Sequence, residues 1–215
     1  MKSITLKHTE LQLLPEKALF LPAFGTLCIA DWHLGKAAHF RKSGIPLPQP
    51  DLSLEFARVS ALITKYNAKC VVLLGDIFHS YINNDWFLFQ QFILQHQDIK
   101  WVLTIGNHDI IGKDEYEALG IIAEETYLPG ENVICSHHPL TNISGEQLNI
   151  AGHIHPGCEL RADARQRFRL PCFHYHNPTI TLPAFGGLTG LHIVHPDTEN
   201  RVFVIVGEEV KEVKA

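Results

Sequence analysis

Five short stretches bring together residue types that bind metal ions or move protons. They are Asp31-Trp32-His33, Gly75-Asp76, Gly106-Asn107-His108-Asp109, His137-His138-Pro139 and Gly152-His153-Ile154-His155. Carboxylates, imidazoles and an amide oxygen suit divalent cations such as Mn, Fe or Zn. Hydrolases that use a pair of such ions hold them roughly 3.5–4 Å apart and so need donors from several directions. Taken singly, each stretch is a weak signal. Asp-x-His is common, Gly-Asp often marks a turn, and Gly-Asn-His-Asp also reads as a polar loop. His-His-Pro reads as a strand end, and Gly-His-Ile-His as an alternating strand with His153 and His155 on one face.

All five share a position. "TLCIAD" ends at Asp31, "CVVLLGD" at Asp76, "WVLTIGNHD" at Asn107 to Asp109, "NVICSHH" at His137 and His138, and "LNIAGHIH" at His153 and His155. Runs of four to six Val, Ile and Leu residues read as buried strands. In α/β sheets, functional groups gather where such strands end. Between the early runs, residues 51–67 and 84–97 carry apolar side chains at helical spacing, the first after a Pro-rich start at Pro46, Pro48 and Pro50 and the second beginning with candidate N-caps in Asn84-Asp85. The first half is therefore β-α-β-α-β with parallel pairing. From about residue 120 strands are expected at 131–136, 147–151, 166–175, 178–182, 190–194 and 201–206. The expected architecture is a four-layer α-β-β-α sandwich, two mixed sheets flanked by helices, in one domain spanning 1–215 with a frayed tail from 207.

The bulk properties narrow the class. A chain of 215 residues with 46% hydrophobic content can bury one sizeable core, and a net charge of −5 gives no broad attraction to polyanions. Any such attraction must be local. Fourteen histidines are many for this length, and five cysteines are an odd number without Cys-x-x-Cys spacing. Cys28, Cys70 and Cys135 lie in apolar runs and read as reduced core thiols. The N-terminal stretch has charges interrupting its apolar runs, and no run approaches the roughly 20 residues of a membrane span. The expected location is cytoplasmic, with no membrane association.

In order, D-x-H, G-D, G-N-H-D, H-x-P and G-H-x-H resemble the motif set of the calcineurin-like metallophosphoesterase superfamily, over more than half of the chain. The resemblance implies two divalent ions, manganese foremost with iron or zinc as alternatives. It places Asp31, His33 and His155 on one ion, Asn107, His137 and His153 on the other, and Asp76 between them. His137 is preferred to His138 because the family's ligand stands two residues before the proline. The implied reaction is phosphodiester hydrolysis by a hydroxide bridging the two metals. His108 is the implied proton donor or transition-state stabiliser, with Asp109 orienting it.

Two further stretches, residues 14–48 and "LPAFGGLTG" at 182–190, are similar to the bacterial ligase-associated DNA-damage-response phosphoesterases, often called endonucleases. This implies a DNA substrate and a repair setting beside an ATP-dependent DNA ligase, a helicase and an exonuclease. Lys36, His39, Arg41 and Lys42 follow the first motif and can meet flanking phosphates. Arg161, Arg165, Arg167 and Arg169 form a second basic run, and both runs read equally as solvated faces. Trp32, His79 and Tyr81 stand beside ligand positions, suited either to a nucleotide or to packing. A small-molecule phosphoesterase acting on cyclic nucleotides or nucleotide diphosphates is the alternative enzyme. A non-catalytic scaffold is disfavoured because all seven ligand positions are filled. "LPAFGGLTG" is apolar enough for either a docking surface or core.

Overall fold

The alternation in "KSITL" and "TELQLL" buries Ile4, Leu6, Leu11 and Leu13 on one face of an antiparallel pair, β1 (Lys2–Leu6) and β2 (Thr9–Leu14). These begin the computed structural model, which describes residues 1–42, 44, 51–78, 81–162 and 166–214, without the side chains of Ala38, His39, Lys42 and Ala162. Next come β3 (Ala18–Leu21), β4 (Thr26–Ile29), α1 (Lys36–Lys42), α2 (Leu52–Tyr66), β5 (Cys70–Leu73), α3 (Asn84–Leu94), β6 (Lys100–Thr104), α4 (Lys113–Glu117) and β7 (Ile122–Glu124). They form a seven-stranded sheet in chain order, antiparallel through β4 and parallel from β4 to β7. The two long helices start close to where their apolar spacing begins, each behind a side-chain cap, the second capped by Asn83 one residue before the expected start. Asp51 accepts the Ser53 amide, Asn83 accepts those of Asp85 and Trp86, and Asn67 closes α2 in the left-handed region.

The second sheet comprises β8 (Thr126–Gly130), β9 (Val133–Ser136), β10 (Leu148–Ala151), β11 (Pro156–Ala162), β12 (Gln166–His176), β13 (Thr179–Thr181), β14 (His192–Ile193), β15 (Asn200–Val206) and β16 (Glu209–Val213). Its order is β14-β11-β12-β13-β10-β9-β8, with β15 beside β12 and β16 beside β15. The chain is thus a sandwich of two mixed sheets flanked by helices. Among the described residues every α-helix lies between Lys36 and Glu117, and no helix is long and apolar enough to cross a membrane.

Strands β4, β5 and β6 read as unbroken apolar runs because both of their faces are buried. Ile29, Val71 and Leu73 turn toward the helices with Trp86, Phe89 and Phe92. Cys28, Val72 and Val102 turn toward the second sheet with Cys135, Ile150, Phe173 and Phe203. All five cysteines are free and buried. A smaller cluster of Cys158, Cys172, Val194, Val202 and Val204 lies on the far side of the second sheet.

The tail is a correction. Residues 209–213 are not frayed but form β16, paired from Val206↔Glu209 to Val202↔Val213. Val210 is buried in the core between the sheets, and Glu212 pairs with Arg201 at 2.7 Å. Only two valines stand among charges there, and the strand is held as the second arm of a hairpin, folded back on β15 through the two-residue turn at Gly207-Glu208, where Gly207 has positive φ.

"LPAFGG" ties the sheets together. The Leu182 amide donates to Ala151 O at the end of β10, and the Phe185 amide to Ala30 O beyond β4, both at 2.8 Å. The Phe185 ring packs edge-on against Trp32 with centroids 5.3 Å apart, and the Arg58 guanidinium lies 3.7 Å over its other face. Leu182 to Gly186 are therefore core, while Gly187, Leu188 and Gly190 are exposed. Replacing Phe185 by Ala should destabilise the protein by about 3–5 kcal/mol, since the cavity sits between two elements that cannot both collapse into it. Urea denaturation checks this, and a loss under about 1 kcal/mol would show that the ring anchors nothing.

Candidate metal centre

The five polar stretches lie in loops at the carboxyl ends of β4, β5, β6, β9 and β10. The backbone there is held in an unusual state. Asp31, His33, Asp76, His153 and His155 all have left-handed φ, between 51° and 71°. For residues with a Cβ this conformation costs on the order of 1–2 kcal/mol each, and such strain concentrates at functional sites. It persists because the loops are cross-tied. Asp31 Oδ2 accepts the His153 amide at 2.9 Å, linking the two sheets, and Asp76 Oδ1 accepts the His108 amide at 2.8 Å. Gly75, Gly106 and Gly152 serve close approach: a Cβ there would overlap the His137 ring, Asp76 or Asp31 respectively.

These ties bring three groups of metal-binding atoms together: Asp31, His33 and His155; Asp31, Asp76 and His137; and His137, His138 and His153. His155 Nε2 lies 3.2 Å from Asp31 Oδ1 and 3.3 Å from His33 Nε2. His137 Nε2 lies 3.1 Å from Asn107 Oδ1, 3.2 Å from His153 Nδ1 and 3.5 Å from Asp76 Oδ1.

The donor chemistry tests whether cations fit. His137 Nδ1 faces the Leu74 carbonyl at 2.9 Å, so this nitrogen carries the ring proton. The neutral ring then offers a lone pair from Nε2 into a space already facing the oxygens of Asn107 and Asp76. Converging lone pairs repel, and a cation among them turns repulsion into ligation. Burial, followed by the neighbouring His138 and His137 rings, holds His153 below its ordinary pKa, which keeps it a neutral donor. Asp31 and Asp76 are 0% and 2% exposed, and buried carboxylates need opposite charge. The residues present fit two adjacent divalent ions.

All seven expected ligand residues converge here. His138, set aside in the sequence for its neighbour, also joins, with its exposed ring 4.1 Å from that of His153. Its signal was the His-His pair itself, which strand alternation would split but which lies beyond the end of β9. His108 is exposed, its ring 6.0 Å from His33. Asp109, expected to orient His108, has oxygens that accept four backbone amides: Asp76 and Gly106 on Oδ2, Ile77 and Phe78 on Oδ1. It clamps the two ligand loops together. Burial pushes its carboxyl up to about 6, against those amides.

The basic residues divide. Lys36, half-buried at the start of α1, has its pKa lowered by burial, with the charges of Asp76 and Asp31 opposing the shift. Arg41 is exposed on α1, near Asp85. His79 and Arg165 lie outside the described residues, as do the side chains of His39 and Lys42. Arg167 and Arg169 pair with Glu159 at 3.2 and 3.4 Å. Trp32 is a packing residue, buried among Phe56, Phe89, Phe92 and Phe185 with its indole N–H on Glu55, whereas Tyr81 is exposed.

The solved structure of the Pseudomonas putida nuclease MPE is 29% identical over 99% of both chains and superposes with a TM-score of 0.81. YfcE, a phosphoesterase from E. coli, is 14% identical over 87% of this chain and 97% of its own, with a TM-score of 0.42. No curated protein matches. The family model for calcineurin-like phosphoesterases matches residues 25–201, from the turn before β4 to the start of β15. With that match spanning all five loops, the chain belongs to the calcineurin-like phosphoesterase family.

Proposed function

We propose that the protein is a metal-dependent nuclease that hydrolyses DNA phosphodiester bonds, within one domain spanning 1–215. The observation that carries this reading is the convergence of Asp31, His33, Asp76, Asn107, His137, His153 and His155 at five strand ends. The similarity, over 99% of both chains, to a nuclease of Pseudomonas putida supports a nucleic-acid substrate. The likeness of residues 14–48 and 182–190 to ligase-associated phosphoesterases supports a repair setting, beside an ATP-dependent DNA ligase, a helicase and an exonuclease.

Asp31, His33 and His155 would hold one divalent ion and Asn107, His137 and His153 the other, with Asp76 shared. Manganese is favoured, with iron or zinc as alternatives for this nitrogen and oxygen set. Bound there, such ions lower the pKa of water and neutralise charge on the phosphoryl oxygens. The chain's own residues do the rest. Asp109 holds the Asp76 and Asn107 loops in register through its four amide bonds. His108, exposed beside the centre, donates the proton that the departing oxygen needs. Lys36 offers its ammonium to a non-bridging phosphate oxygen. Arg41, Lys42 and His79 extend the substrate contact beyond the scissile bond.

Asp76→Ala should lower cleavage of end-labelled DNA in manganese at least about 1,000-fold, because both ions lose a shared ligand. His108→Ala should cost about 100-fold on DNA and much less on a p-nitrophenyl ester, whose leaving group needs no proton. DNA that stays intact with manganese-loaded wild type, while a 2′,3′-cyclic nucleotide is hydrolysed, would overturn the substrate assignment. Chelation supplies a separate check. Ions bound only by the folded chain and present at 100–1,000 times their Kd stabilise it by about 3–4 kcal/mol. Removing them with EDTA should lower the Tm by roughly 10 °C. An unchanged Tm would contradict the proposed role of cations in neutralising Asp31 and Asp76.

A further inference from the structure

A cleft of about 420 Å³ opens on the far face of the second sheet, outside the ligand set. Its walls include Leu140, Ile154, His174, His176, Thr181 and His192. Three of these walls continue directly from the metal loops. Leu140 follows His137 and His138 by two or three residues, Ile154 stands between His153 and His155, and the His192 amide donates to His155 O at 3.0 Å. The Leu140 wall is fixed by its amide bond to Asn149 Oδ1 at 2.9 Å, an oxygen that also accepts the Thr179 hydroxyl.

The lining defines the ligand chemistry. None of the twelve lining residues is Lys, Arg, Asp or Glu, so nothing there carries a permanent charge for a phosphate. Burial, and then the nearby His176 and His192, keep His174 below its ordinary pKa and so neutral. What the cleft offers instead is flat π-surface, hydroxyls and aliphatic walls. His174 and His176 lie two residues apart on β12, their rings within 18° of parallel and 6.5 Å between centroids. Thr181 and Thr179 stand directly across the ladder from them. Ring faces that stack and hydroxyls that meet polar edges are the chemistry of a nucleobase, and the volume falls within the roughly 300–1,000 Å³ of small-molecule sites.

We propose that this cleft is a nucleobase subsite, holding the base of the nucleotide next to the phosphate bound at the metal centre. The proposal rests on the reading of the protein as a nuclease and adds where one base goes. A phosphodiester reaching the ions presents a sugar and base on each side of phosphorus. The loops that carry His137, His153 and His155 lead one of those sides into the cleft.

Two esters with the same leaving group isolate the base: thymidine 5′-(p-nitrophenyl) phosphate and bis(p-nitrophenyl) phosphate. Manganese-loaded wild type should favour the thymidine ester about tenfold in kcat/KM. His176→Ala removes an exposed ring and should erase that preference through KM, and His176→Phe, which keeps a ring, should restore it. Binding is read independently with a methylphosphonate-linked dinucleotide carrying 2-aminopurine, which cannot be cleaved. Its fluorescence should be quenched by wild type and by His176→Phe but not by His176→Ala. If wild type hydrolyses both esters without preference and His176→Ala quenches as wild type does, the subsite is refuted while the nuclease reading stands. If wild type hydrolyses neither ester, both fall.

Discussion

Two buried carboxylates at the ends of adjacent parallel strands set the terms for the rest of this molecule. Asp31 and Asp76 leave β4 and β5, which pair in parallel through Ile29↔Leu73, so their side chains emerge at the same edge of the sheet. Neither is exposed enough to be neutralised by water. Each uses an oxygen to hold the backbone of another loop, Asp31 that of His153 and Asp76 that of His108. The carboxylates are therefore structural acceptors and candidate ligands together. A substitution at either position changes the loops as well as the centre. The same two-sheet arrangement explains why one set of ligands comes from residues more than 100 positions apart: β10 delivers His153 and His155 across the sandwich to Asp31.

The convergence of the candidate ligand positions was legible because their types are rare and their places are forced. A charged or imidazole side chain directly after a run such as Val71 to Leu74 has few explanations, and five such endings in one chain have fewer. Helices α2 and α3 were legible from their apolar spacing, which follows a Pro-rich stretch in the first and begins at Asn84-Asp85 in the second. What escaped depends on contacts that composition alone does not show. β16 is a strand because the Gly207-Glu208 turn folds it back on β15. Asp109 also holds the β5 loop, through three amide donors more than 30 positions away. "LPAFGGLTG" was ambiguous because a buried connector and an exposed apolar patch have the same composition. Its first half became core only through Trp32 and Arg58.

The energetics of these loops explain why the site sits on so rigid a frame. Five residues with side chains in left-handed backbone cost on the order of 5–10 kcal/mol together. That is comparable to the whole stability of an ordinary domain, about 5–15 kcal/mol. Such a cost is sustainable only if the surrounding contacts over-determine each loop, and they do. Strands β4, β5 and β6 are packed on both faces, Phe185 and Trp32 lock the Asp31 turn from beneath, and Asp109 clamps two loops with four amides. The strain places the lone pairs of His33, His155, His137 and His153 in convergence before any ion arrives. Donors already aimed inward lose little further freedom on binding, so more of each ligand bond is kept as affinity. The same reasoning fixes the direction of coupling: cations held there would relieve the repulsion between these donors, and through Asp31, whose carboxylate holds the His153 amide, they would stabilise the contact between the two sheets.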